Sequence, residues 1–466
     1  MSLNILTIKS ALEKLRSKEF SSVELTKACL EEIKKKNKEL NAFITVDEEG
    51  ALNQASFADK KKKDGIDLPL LGIPIALKDI FLTKGLKTTA GSKVLSDYVP
   101  QYDATVVRKL YGAGAVIIGK TNLDAWAHGS SGENSDFGPT KNPFNTQYVS
   151  GGSSSGSAVA VASNMALGAT GTDTGGSIRL PASFCNVIGL KPTYGRVSRY
   201  GIVAMASSLD SVGHFTKTVE DSALLLEITA GKDIYDATTP DISVPKYTKN
   251  LKLNKKVKLG IPKEYIEGLD KEIENNFQNS LKILERLGFE IINISLPNTE
   301  YAIPCYYVIQ PSEVSSNLAK YDGIRFGNDR ETFGDEAKRR IMLGTFTLSS
   351  GYYDAYYKTA MKVRTLIRED FDEAFKKVDA IVAPVSPTMP WKFGEKLNDP
   401  LKMYLSDVLS APANLAGIPG LSVPSGFEKG LPAGIQILGP QFSEEILFQI
   451  GNAFETETKF YKEGPK

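Results

Sequence analysis

Histidine is nearly absent. The 466 residues carry two, His128 and His214. Zinc sites draw on His and Cys clustered at short spacing, and no such cluster exists here. A Ser-His-Asp triad would have to use one of those two residues, so the search for a general base turns to lysine. Cysteine is as scarce: Cys29, Cys185 and Cys305 are odd in number and far apart. That argues against a disulfide framework and fits a reduced compartment. An excess of charge is also missing, because 56 Lys and Arg against 55 Asp and Glu leave a net charge of +1. No bulk field draws the chain to nucleic acid, so any RNA is expected to be contacted mainly through another subunit. No apolar run approaches the roughly 20 residues that span a bilayer. The opening stretch MSLNILTIKSALEKL lacks the apolar core of a secretory signal, and the expected location is cytoplasmic.

Glycine and serine, by contrast, are concentrated in one stretch. Residues 150–191 read SGGSSSGSAVAVASNMALGATGTDTGGSIRLPASFCNVIGLK. The first loop is Gly151-Gly152-Ser153-Ser154-Ser155-Gly156 and the second is Thr172-Asp173-Thr174-Gly175-Gly176-Ser177. Glycine lets backbone N–H groups approach a ligand. A serine hydroxyl becomes a nucleophile once a base takes its proton. The two loops are expected to meet at one catalytic centre, with Ser177 as the attacking group.

Along the chain, residues 5–37 read as two amphipathic helices, the second opened by a capping box at Ser21 and Glu24. Lys60–Lys63 reads as a solvated loop or helix end. In LPLLGIPIALKDIFLTKGLKTTAGS, residues 68–92, Ile73, Ile75 and Leu77 alternate as in a strand. That strand delivers Lys78 at its C-terminal end, where open α/β sheets place ligand sites. GAVIIGKT at 114–121 matches the phosphate-loop expression, but Ala-Val-Ile-Ile between the glycines is itself a strand, so that reading is rejected. The polar loop WAHGSSGENSDFGPTKNPFN, residues 126–145, is of the kind that lines a site. Ser157–Leu167 reads as a small-residue helix, and 219–231 as another. Near residue 240 the composition turns polar. A βαβ-like unit follows: strand Val257–Ile261, helix Lys271–Leu287, strand Glu290–Leu296. Residues 335–376 read as one helical tract interrupted at Gly344 and Gly351. Strands Ala380–Val385, Leu421–Pro424 and Ile435–Leu438 and a helix Glu444–Thr456 close the chain.

The residues leave several chemistries open. Ser177 is either a nucleophile in a loop whose consecutive N–H groups stabilise an oxyanion, or a helix N-cap. Lys78 is either a base or a lysine paired with Asp79. Service as a base needs its pKa brought from about 10.4 to near 7, roughly 4–5 kcal/mol at ~1.36 per unit, which burial supplies. Ser153, beside Gly151 and Gly152, is the natural hydroxyl relay between them. The rival is the G-x-S-x-G elbow formed by Gly152–Gly156, with Ser154 as nucleophile and His214 as base. An elbow needs a strand before it, and PFNTQYVSG makes a poor one.

GGSSSGSA followed by GTDTGGSIRLPASFCNVIGLKPTYGRVSRYG resembles the amidase signature family, over about residues 20–455. That resemblance implies one large α/β domain over 1–466: a mixed twisted sheet flanked by helices, with a helical arm at 1–65 and a peripheral αβ excursion at 240–330. It implies amide hydrolysis by a triad of Lys78, Ser153 preceded by a cis peptide, and the nucleophile Ser177, with oxyanion donors from Thr174, Gly175, Gly176 and Ser177. Within the family the chain resembles the glutaminase subunits of tRNA-dependent amidotransferases, through segments such as KRRIMLGTFTLSSGYYDAYYKTAMKVRTLI. That likeness implies glutamine as substrate, gripped by Tyr306, Arg340 and Asp407, and ammonia passed on to convert Glu-tRNA(Gln) or Asp-tRNA(Asn). It implies a heterotrimer with B and C subunits, with ATP and magnesium on the partner and no cofactor or metal in this chain. A stand-alone amidase acting on another small amide is the alternative. Two departures stand out: Ser155 replaces a usual glycine, and the segment near 327–335 is shorter than usual, which bears on the frame of Arg340.

Overall fold

The computed structural model describes residues 3–325, 327–397 and 399–465. The strands are β1 Phe43–Val46, β2 Pro74–Lys78, β3 Val116–Thr121, β4 Gly168–Asp173, β5 Ile188–Lys191, β6 Ser211–Thr216, β7 Lys258–Pro262, β8 Glu290–Ile294, β9 Ala380–Pro384, β10 Gly420–Glu428 and β11 Leu431–Leu438. They form one mixed sheet in the order β1-β3-β2-β4-β6-β5-β10-β11-β9-β7-β8. Pairing is parallel through β3, β2 and β4 and again through β9, β7 and β8. The strands between are antiparallel. Residues 240–330 therefore contribute β7 and β8 to one edge of this same sheet. The other edge is β1, a strand set among the helices Ile8–Arg16, Ser22–Leu40 and Glu48–Lys63, so the arm is not wholly helical. Among the described residues, no helix is long and apolar enough to cross a membrane.

The pleat of β2 divides its side chains. Ile75 and Leu77 enter the main core, each worth about 1.5–3 kcal/mol of burial. Ala76 faces the other way, with Val116, Ile118 and Ala169, against the helix Ser155–Ala162. That helix is apolar or small all round and is buried all round. The capping box at Ser21 and Glu24 forms with both of its hydrogen bonds.

Three expectations change. The helix expected over Ser157–Leu167 runs instead over Ser155–Ala162, and the residues just after it become β4, whose sequence GATGTD carries none of the bulky side chains that mark a strand. Gly344 does not interrupt a helix. It lies inside Asp335–Leu348 at the point where the carbonyl of Pro311 leaves no room for a Cβ. The chain breaks at Gly351, φ +87°, before the helix Thr359–Ala374. The last two strands are longer than expected and form a hairpin, turned by Lys429 and Gly430 at φ 51° and 80°. An irregularity between Pro424 and Gly426 hides its alternation in the sequence.

Candidate active site

β2 and β4 are parallel neighbours, so both end at the same edge of the sheet. β2 ends in Lys78 and β4 leads directly into the second serine loop. Lys78 is fully buried. Its Nζ lies 2.9 Å from Ser153 Oγ, 2.9 Å from Ser154 Oγ and 2.9 Å from Thr172 Oγ1. Its backbone N–H donates to Thr170 Oγ1 at 3.0 Å, which fixes where the side chain starts. Burial drives its amine from 10.5 down to about 7, against the pull of Asp124, Asp210 and Asp173. The bond between Gly152 and Ser153 is cis.

The two loops are stitched together by the Ser154 N–H donating to the Ser177 carbonyl at 3.2 Å. Ser177 is half-buried, just ahead of the helix Arg179–Phe184. Among the described residues its hydroxyl has no hydrogen-bond partner, so the step from Ser153 to Ser177 is not a direct hydrogen bond here. Such contacts in unliganded sites are commonly long and tighten on substrate.

Thr174, Gly175 and Gly176 are buried. Among the described residues, none of the N–H groups of Thr174, Gly175, Gly176 and Ser177 donates to a protein acceptor. Four adjacent N–H groups without a protein acceptor form the kind of donor set that can hold an oxyanion. The loop is held from behind. Asp173 accepts from the Ile178 and Arg179 N–H groups at 3.2 and 3.3 Å and pairs with the Arg179 guanidinium. Burial pushes the Asp173 carboxyl up, but Arg179 and its hydrogen bonds carry it down to about 2. Gly176 sits at φ +145° where a Cβ would overlap Ser410 Oγ, so glycine is required.

The expected glutamine clamp lies beside this loop. Tyr306, on the helix Ala302–Leu318, packs on Gly175: a Cβ there would come 2.8 Å from its OH. Asp407 lies 3.7 Å from where a Gly176 Cβ would stand. It accepts from Ser130 Oγ at 2.8 and 2.9 Å, and from Tyr307 OH at 3.1 Å. Burial pushes its carboxyl up to about 6. Arg340 is buried on the helix Asp335–Leu348. Its Nε donates to Glu336 at 2.6 Å and its Nη1 to Gln310 Oε1 at 2.5 Å. Its guanidinium lies 4.6 Å from the Tyr307 ring and 4.8 Å from Tyr404. Arg340, Tyr307, Tyr404 and Ser130 line a cavity of about 280 Å³. Tyr307, which sequence reading passed over, is the residue that touches both Arg340 and Asp407. Ser130, Ser154 and Thr172 were passed over as partners too.

The shortened segment leads into the helix that carries the buried Arg340. It forms a short turn, Arg330–Thr332, that runs almost directly into the Arg340 helix; Phe326 lies outside the described residues. Ser155 opens its helix and donates to Thr140 Oγ1 at 3.2 Å. Neither histidine reaches the serines. His214 pairs with Ser222 Oγ at 2.9 Å in β6. His128 is held well below its usual value by burial and by Arg340. Among the described residues no strand leads directly into Ser154, so the elbow reading lacks both its strand and its base. Among the described residues, no group of three or more His, Cys, Asp or Glu could hold a metal ion.

The chain belongs to the Amidase family, whose profile matches residues 24–448 and so spans both serine loops and Lys78. Within it, the A subunit of the glutamyl-tRNA(Gln) amidotransferase of Carboxydothermus hydrogenoformans is 51% identical, covering 100% of each chain. The crystal structure of the same-named protein from Thermotoga maritima is 43% identical with a TM-score of 0.83, covering 98% of this chain and 95% of that one. A peptide amidase from Stenotrophomonas maltophilia is 31% identical with a TM-score of 0.84, covering 97% of each.

Proposed function

We propose that this chain is the glutamine-hydrolysing subunit of a tRNA-dependent amidotransferase, and that Lys78, Ser153 and Ser177 carry the chemistry. The observation that carries the reading is the fully buried Lys78 amine 2.9 Å from Ser153 Oγ, on the edge of the sheet from which the N–H loop springs. An amine at about 7 has a substantial neutral fraction, about half, at neutral pH. Ser154 donates to the Thr172 carbonyl at 3.2 Å, so it accepts from Lys78 and leaves the amine's lone pair free for Ser153.

The Ser177 proton passes to Ser153 as the Ser153 proton passes to Lys78. Ser177 Oγ then bonds to the carbonyl carbon of the glutamine side-chain amide. The oxyanion that forms sits on the N–H groups of Thr174, Gly175, Gly176 and Ser177, each worth about 3–4 kcal/mol in such sites. Lys78 returns the proton through Ser153 to the amide nitrogen, the C–N bond breaks and ammonia leaves. Water, deprotonated by the same route, releases glutamate from Ser177. Arg340 pairs with the α-carboxylate, Asp407 with the α-ammonium, and Tyr306 packs along the chain between them.

In this reading ammonia goes to a B subunit that uses ATP and magnesium to activate Glu-tRNA(Gln) or Asp-tRNA(Asn), with a small C subunit binding both. Such a complex works in the cytoplasm, where tRNA is charged. The names and full-length coverage of the relatives support this assignment. The test is ammonia release from glutamine by the chain purified with its co-expressed partners. Arg340→Ala is expected to raise KM for glutamine by about 100-fold while kcat falls far less, since the α-carboxylate is bound equally in ground and transition states. An unchanged KM removes Arg340 from the clamp.

A further inference from the structure

The segment after β3 touches none of the reacting atoms in the mechanism above, yet it is tied to both halves of the site. Asp124 lies in it, fully buried. Its Oδ1 accepts from the Asn134 N–H at 2.9 Å and its Oδ2 from the Gly132 N–H at 3.0 Å. Its own N–H donates to the Ser153 carbonyl at 3.2 Å. Any Cβ on Gly152 would overlap its Oδ2. The carboxylate is thus wedged between the loop 129–134 and the peptide that enters Ser153.

That loop reaches the clamp as well. The Ser130 carbonyl accepts from the Gly152 N–H at 2.9 Å, while its hydroxyl donates to Asp407. The backbone leading into the loop holds two successive non-glycine residues at positive φ, Trp126 at 59° and Ala127 at 64°. Such a conformation persists only where the surroundings over-determine it. Two acceptor oxygens are specified, and the two N–H bonds hold the carboxyl down against burial, which raises it to about 7. Two N–H donors converge on its two oxygens; asparagine would accept one and set its own NH₂ against the other.

We propose that Asp124 is a positioning residue: by seating the 129–134 loop on the Ser153 peptide it keeps the serine relay and Asp407 in one register, and so couples turnover to recognition of the substrate's α-amino group. The proposal rests on the glutaminase reading. Sequence alone does not expose it, because Asp124 meets its partners through a loop and a glycine whose convergence only the fold defines.

The test compares ammonia release from glutamine and from glutaramate, which is glutamine without its α-amino group, by the co-purified complex. If the unmodified complex releases no ammonia from glutamine, the glutaminase reading fails and this proposal falls with it. If it does, Asp124→Asn is expected to lower kcat for glutamine by about tenfold or more, the scale of a misplaced catalytic group. It is also expected to narrow the kcat/KM preference for glutamine over glutaramate by about tenfold, the worth of a charged hydrogen bond. Ser130→Ala removes only the hydroxyl on Asp407. It should narrow the same preference mainly through KM. A folded Asp124→Asn complex with unchanged preference overturns the proposal, whatever happens to kcat. Should that variant fail to melt cooperatively, Ser130→Ala decides: a narrowed preference supports the coupling and an unchanged one overturns it.

Discussion

Ser177→Ala ends ammonia release from glutamine, lowering kcat by a factor on the order of 10⁴ or more, the scale seen when a triad nucleophile is removed. No neighbouring hydroxyl can replace it. Ser153 and Ser154 are both held on Lys78 Nζ at 2.9 Å, and Thr172 is held there too. The substitution removes a half-buried hydroxyl that has no protein partner among the described residues. Stability should therefore stay within about 0.5 kcal/mol, as for changes away from packed or hydrogen-bonded groups. Glutamine should still bind, because Arg340 and Asp407 are untouched. Steady-state ammonia release, a melting curve and glutamine binding by calorimetry check the three parts. Wild-type turnover by this variant removes Ser177 from the chemistry.

Lys78→Met has the second largest effect. Losing a general base costs about 10²–10⁴ in rate, and here the same residue also returns the proton to the leaving amide. The Ser153 and Thr172 hydroxyls lose the partner they hold in the structure. Leaving buried polar groups unpaired costs about 1–3 kcal/mol each, so the variant should also melt earlier. Lys78→Arg should not rescue turnover. A guanidinium stays charged throughout the working pH range and cannot accept a proton. Activity retained by Lys78→Arg would contradict a neutral base.

The serines and lysine proposed for catalysis could be singled out in the sequence because their chemistry is local: glycines that free the backbone, hydroxyls beside them, and an alternating strand that ends in a lysine. The scarcity of histidine turned the search to lysine, and the structure sets both His128 and His214 away from the serines. The proposed substrate clamp was less legible. Tyr306 and Tyr307 are adjacent on one helix and so point about 100° apart; nothing in the sequence says which faces Arg340. Ser130 meets Asp407 across 277 positions of chain and Tyr307 meets it across 100. β4 escaped notice because close neighbours, Ile8, Ile75 and Leu225 at Gly168 and Phe215, Ile178 and Ser154 at Gly171, leave room only for small residues where strand signals rely on bulk. Gly344 looked like a break for the opposite reason. It serves a close helix crossing, and the sequence does not distinguish a contact from an interruption.

The pH dependence of acyl-enzyme formation at saturating glutamine tests the proton path most directly. Saturation removes pH effects that act through binding alone, such as those proposed for Asp407; the buried carboxyls of Asp124 and Asp210, raised by burial to about 7 and about 6, titrate alongside the amine of Lys78. The rate should rise about tenfold per unit at low pH and level off above about 7, where burial sets the Lys78 amine. A rate that keeps climbing toward the ordinary lysine value of 10.5, or one that is flat through neutrality, would contradict a proton passed from serine to an uncharged amine.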